Sequence, residues 1–156
     1  MINYTGMGGV RYVDTREYVS VLRDIVKQGR EVCVVVSGSS MAPFLVHRRD
    51  VVYFKSPWRA LKKGDIVFYQ RDNGQFVLHR IVGVHDGVFD LLGDNQTEVE
   101  HGVRSDQIFG LVTGVKRKGK MISPGSFWWW FFAHVWTHMI PVRHVVMSVY
   151  AKVRHQ

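Results

Sequence analysis

The run Val32-Cys33-Val34-Val35-Val36-Ser37-Gly38-Ser39-Ser40-Met41-Ala42-Pro43 decides how this chain is read. Its first five residues are β-prone, and Gly38 and Pro43 end the strand they form. Such a turn lifts one small hydroxyl off a rigid strand end, where a nucleophilic serine is useful. Serine and glycine after a strand also make ordinary loops. The weight comes from two later stretches, His79-Arg80-Ile81-Val82-Gly83 and Gly93-Asp94-Asn95. With them, one short β-rich region holds a hydroxyl, an imidazole and a carboxylate, the set that acyl transfer requires.

Around this turn, residues 31–122 alternate short β runs with turn signals. The runs are 32–36, 50–55, 65–70, 75–84, 88–92 and 109–116. Asp72-Asn73-Gly74 is expected to close a hairpin through a two-residue Asn-Gly turn, and Asp86-Gly87 marks a second. The spacing predicts a mainly β unit, closed or folded over and antiparallel. Ahead of it, residues 1–13 read as an irregular lead-in. Asp14 or Thr15 then caps a helix to about Gln28, with Gly29 just past its end. Tyr18, Leu22, Ile25 and Val26 share one face of that helix, as in a helix packed on a core. The chain divides into a lead-in with an amphipathic helix at 1–30, a β domain at 31–122 and a C-terminal segment at 123–156.

The 156 residues carry a formal charge of +8, which favours an anionic neighbour, nucleic acid or lipid. A single cysteine excludes an internal disulfide and a multi-cysteine zinc site. Cys33 lies within the apolar run and is expected to be buried and inert. Residues 1–30 hold no apolar core of the length a secretory signal needs. Residues 123–156 contain no acidic residue and four of the five tryptophans. Trp128, Trp129, Trp130 and Trp136 suit a membrane interface, while Arg143, Lys152 and Arg154 suit anionic headgroups. The competing reading is a pair of helices docked on the β domain. The charge-free stretch is too short for a simple span, so residues 126–154 are expected to meet a lipid surface, peripherally or as a single pass. Aromatics are not interleaved with the basic residues as a base-stacking surface would have them, so no nucleic-acid partner is expected. His134 and His138 have the spacing of a helical metal pair but lack a third ligand, and no metal or cofactor is expected.

Ser40 is the candidate nucleophile and His79 its base, since a neutral serine needs a group that takes its proton. A carboxylate would hold the imidazole in one tautomer, and Asp94, Glu98, Glu100 and Asp106 all lie within reach in sequence.

The same residues resemble type I signal peptidases and their relatives in the S24/S26 peptidase superfamily. Gly38-Ser39-Ser40-Met41-Ala42-Pro43 is similar to the serine box, and Lys63-Gly64-Asp65-Ile66-Val67-Phe68 to the strand that follows it. His79-Arg80-Ile81-Val82 falls at the general-base position, and Gly93-Asp94-Asn95 at the Gly-Asp-Asn box. The resemblance implies a signal-peptidase/LexA-like antiparallel β-barrel or folded sheet and a serine endopeptidase that needs no cofactor. A histidine at the base position is similar to the endoplasmic-reticulum, archaeal and spore-associated branch. There the acid lies six residues after the aspartate of Gly-Asp-Asn, a position filled here by Glu100 in place of aspartate. Glu100 and Asp94 remain the two contenders.

The resemblance further assigns substrate contact to Met41 and Pro43, and oxyanion support to the Ser40 N–H with Ser39 and Gly38. Ser39 is the fallback nucleophile. Arg49 stands where a glycine is usual. Signal peptidases commonly carry a membrane span before the serine box. Only an amphipathic helix precedes it here, so the C-terminal segment is expected to replace that anchor. An active site on the cytoplasmic face would then follow, though the sequence does not fix the side of the membrane. The implied partner is a signal, leader or precursor peptide. The alternatives are a self-cleaving regulator, disfavoured by His79 in place of lysine, and an inactive peptide- or membrane-binding module.

Overall fold

The computed structural model describes the backbone of residues 2–6, 9–13 and 15–154 and the side chains of 16–153. Eight strands form one antiparallel sheet: β3 (Val32–Val35), β4 (Val51–Lys55), β5 (Ile66–Gln70), β6 (Phe76–His85), β7 (Val88–Leu92), β8 (Glu100–Arg104), β9 (Ile108–Arg117) and β10 (Lys120–Ile122). Their order is β3-β4-β9-β5-β6-β7-β8, with β10 hairpinned onto β9. Of the two forms expected, this is the folded sheet, since β3 and β8 end the path without pairing each other. Register shifts at Tyr53/Phe54, Phe68/Tyr69, Ile81/Gly83 and Phe89/Leu91 bend the strands. The sheet therefore encloses apolar residues on both faces. Ile66 and Phe68 of β5 join one cluster, while Val67 and Tyr69 join the other.

The larger cluster is covered by two helical elements. Helix α1 (Thr15–Lys27) buries Val19, Leu22 and Val26, a stripe at helical spacing. Tyr18 and Ile25, expected on the same face, are half-buried. Gly29 follows at φ 81°, and its N–H reaches the Val26 carbonyl. The proposed cap Asp14 lies outside the described residues. Helix α2 (Phe127–His134) starts at Ser126, whose hydroxyl accepts the Trp129 N–H. It sends Trp129 and Phe132 into the same cluster.

Several expectations are corrected. Residues 2–6 and 9–13 are not irregular: β1 (Ile2–Gly6) and β2 (Gly9–Val13) pair from Ile2↔Val13 to Gly6↔Gly9. Strand β8 was missed because Glu100-His101-Gly102-Val103-Arg104 is too polar to read as a strand. The 71–75 turn is a three-residue loop. Arg71 N–H bonds the Gln75 carbonyl, and positive φ falls at Gly74 but not at Asn73. At Asp86-Gly87 both φ are positive, as a two-residue turn requires. Cys33 is exposed, because on edge strand β3 it alternates with Val34, which faces the core. The C-terminal segment is broken into α2, two short 3₁₀ turns at Trp136–His138 and Ile140–Val142, and α3 (Arg143–Arg154), with Pro141 in the second turn.

Candidate active site

Ser40 stands where the chain leaves β3 and turns back towards β4. Phe44 and Leu45 anchor the turn in the core, and the Leu45 N–H bonds the Met41 carbonyl at 2.8 Å. Fully buried Asp50 holds its far end by accepting the Val46 N–H at 2.8 Å and both Arg49 donors at 2.8 Å. Burial pushes the Asp50 carboxyl up, yet these bonds and one from the Lys118 N–H outweigh it and keep it below the usual carboxylate range. Arg49 thus serves as the counter-ion of its own neighbour.

The 93–95 turn grips the serine backbone from the other side. Asn95 donates its N–H to the Ser40 carbonyl at 2.8 Å and its amide to the Ser39 carbonyl at 3.3 Å. A Cβ on Gly93 would lie 2.6 Å from the Ser40 carbonyl oxygen, so no larger residue fits without moving the turn.

Ser40 and His79 line one cleft of about 260 Å³, together with Gly38, Met41 and Arg71. Ser39 and Pro43 are not among its lining residues. The Ser39 carbonyl is held by Asn95, and the Pro43 carbonyl accepts Arg117 at 3.3 Å. The Gly38 N–H is taken by His47 Nδ1 at 3.0 Å, leaving Gly38 to support the turn through its φ of 91°. Among the described residues no hydrogen bond engages the Ser40 N–H.

His79 lies on β6 opposite Val67, on the sheet face of Tyr69. Its Nδ1 is 3.2 Å from Tyr69 Oη, and the Tyr69 hydroxyl donates to Glu100 Oε2 at 2.5 Å. Arg71 closes on Glu100 through Nε at 3.0 Å and Nη2 at 2.7 Å. Burial pushes the His79 imidazole down to about 4, Arg71 pushes the same way and Glu100 opposes them. The ring is therefore neutral at pH 7. Burial pushes the Glu100 carboxyl up, but the Arg71 and Tyr69 hydrogen bonds prevail and hold it low, hence ionised. Burial, then the adjacent carboxylate, pushes the Tyr69 phenol well above its usual value.

Asp94 lies elsewhere. Both its oxygens are taken by Arg80, at 2.9 and 2.8 Å, in a buried pair. Arg80 follows His79 on the strand and so points to the opposite face. Of the two contenders for the acid, Glu100 reaches the His79 side and Asp94 ties the 93–95 turn to β6.

Tyr69 and Arg71 escaped the sequence reading. The available signal was a tyrosine inside the apolar run Ile66-Val67-Phe68-Tyr69, since a buried phenol needs a hydrogen-bond partner. Arg143 is a correction. It is 2% exposed and donates to the carbonyls of Gln96 at 2.6 Å, Trp136 at 2.9 Å and Gly93 at 3.3 Å. Trp136 Nε1 donates to the Asp94 carbonyl at 2.6 Å. The C-terminal segment thus buttresses the turn behind Ser40. Trp129 and Trp136 are buried, whereas Phe127, Trp128 and Trp130 face outward. Among the described residues no helix is long and apolar enough to cross a membrane.

A family model described as Peptidase S24-like matches residues 4–113, taking in the serine turn, β6, the 93–95 turn and Glu100. No curated protein matches the chain. With well over half its length matched, the chain belongs to the Peptidase S24-like family of serine peptidases and self-cleaving regulators.

Proposed function

We propose that this protein is a serine endopeptidase that cuts a signal, leader or precursor peptide, with Ser40 as nucleophile and His79 as general base. The observation that carries this is one cleft lined by both residues, with an ionised Glu100 behind the imidazole. Neutral His79 takes the Ser40 hydroxyl proton as Oγ attacks the scissile carbonyl. The developing oxyanion is met by the Ser40 N–H. His79 returns the proton to the leaving amine, and water then hydrolyses the acyl-enzyme. Asp94 is assigned to the shape of the site, through Arg80.

A lipid surface is the proposed second partner. Phe127 is 64% exposed and Trp128 and Trp130 are 50% exposed on one short helix, in a segment without acidic residues. Replacing all three with serine is expected to abolish sedimentation with neutral vesicles and to weaken it with anionic ones, while leaving thermal unfolding unchanged. Binding equal to that of the wild type would remove these three aromatics from the lipid contact, and a wild type that sediments with neither vesicle would remove this partner.

Wild type, Ser40→Ala and His79→Ala incubated with leader-type and secretory precursors test the peptidase reading. Cleavage by wild type alone, with circular dichroism unchanged in the variants, is the expected result. Cleavage by folded Ser40→Ala overturns the mechanism. Concentration-independent loss of the chain itself would instead identify a self-cleaving regulator.

A further inference from the structure

We infer that Tyr69 is a positioning residue for His79: its oxygen accepts the Nδ1–H while its own hydroxyl goes to Glu100. The order of donors follows from counting protons. Glu100 receives Arg71 on both oxygens, at 3.0 Å on Oε1 and 2.7 Å on Oε2, and as a carboxylate it has no proton to give. The single phenolic proton therefore points to Glu100 Oε2, 2.5 Å away. What Tyr69 presents to His79 Nδ1, at 3.2 Å, is a lone pair. A lone pair on Nδ1 would face it with no hydrogen between them, at 2% exposure, where water cannot relieve the contact. Nδ1 is thus protonated, and Nε2 keeps the lone pair needed to take a hydroxyl proton.

The arrangement differs from a carboxylate bonded directly to the imidazole. Here the negative charge sits one side chain further away and is matched by Arg71. Tyr69 therefore sets the tautomer and the ring orientation more than it stabilises the imidazolium. The catalytic consequence rests on the peptidase reading above, but the hydrogen-bond order does not.

Long-range ¹H–¹⁵N correlation spectra of the protein labelled in histidine nitrogen, at pH 7, read the tautomer directly, with His79 assigned by its loss in His79→Gln. The expected wild-type result is an Nδ1–H, Nε2-unprotonated ring. In Tyr69→Phe the Nε2–H form is expected to appear, and labelling of Ser40 by a fluorophosphonate probe to slow by about tenfold or more, as a buried donor loses its acceptor. Glu100→Gln keeps an acceptor for Tyr69 and is expected to retain the wild-type tautomer. An Nε2–H ring in the wild type overturns the proposal without any variant, as does an unchanged tautomer in folded Tyr69→Phe. An Nδ1–H ring in a wild type that no fluorophosphonate labels supports the hydrogen-bond order and removes the peptidase reading instead.

Discussion

At the scale of single residues, burial of His79 couples its titration to folding. In an unfolded chain the imidazole binds a proton near 6.5, whereas in the fold it does so at about 4. The stability supplied by keeping it neutral is complete above pH 6.5 and is lost as the pH falls from there towards 4. A shift of this size is worth roughly 3 kcal/mol. Urea unfolding at pH 7 and pH 4.5 should therefore show the wild type losing about 2–3 kcal/mol more than His79→Gln over the same interval. Equal losses would mean that the ring is solvated and titrates normally. The same depressed value places the acid limb of fluorophosphonate labelling near pH 4 instead of 6.5. Glu100→Gln should move that limb lower still, because the carboxylate favours the protonated ring.

At the scale of elements, the 93–96 turn joins three parts of the chain. It bonds the Ser40 backbone through Asn95, β6 through Asp94 and Arg80, and the C-terminal segment through Trp136 and Arg143. Gly93→Ala must displace the Ser40 carbonyl, which a Cβ would meet at 2.6 Å. The expected outcome is a folded protein whose serine labelling is slowed by about tenfold or more, given the sensitivity of reaction to small misplacements. Arg143→Met takes the donor from the Gln96 carbonyl, while the Gly93 and Trp136 carbonyls keep the Gln96 and Met139 N–H groups. A loss of about 1–3 kcal/mol in urea unfolding is expected from the carbonyl left without a donor. An unchanged midpoint would show that the segment is held by its aromatic packing alone. The turn was visible in the sequence as Gly93-Asp94-Asn95, because backbone demands select small and polar residues locally. Its clamp was not, since Arg143 lies 47 positions beyond Gln96 and looked like a surface cation.

At the scale of the whole molecule, a net charge of +8 accompanies a helix α2 that turns Trp129 and Phe132 inward and Phe127, Trp128 and Trp130 outward. If the lipid partner is correct, vesicle binding has an electrostatic and an apolar part. Raising salt from low to physiological ionic strength should weaken binding to anionic vesicles but leave a residual set by Phe127, Trp128 and Trp130. Sedimentation across a salt series, compared with neutral vesicles, separates the two. Complete loss of binding at moderate salt would assign it to charge alone.

Local sequence determined the mainly β unit, helix α1 and the serine turn. Each rests on short-range rules: period-two and helical apolar spacing, glycine where φ is positive, and a hydroxyl after a strand. It also brought Ser40 and His79 forward as residues to examine, while the family resemblance singled out Glu100 and Asp94 from four carboxylates within reach. The tertiary structure alone decided that β1 and β2 pair, that Cys33 faces outward and that half of the C-terminal tryptophans are core. It alone placed Tyr69 between His79 and Glu100 and set Asp94 on the opposite face with Arg80. These features depend on which strands become neighbours and which face each residue takes, and contacts between distant segments leave no local period to read.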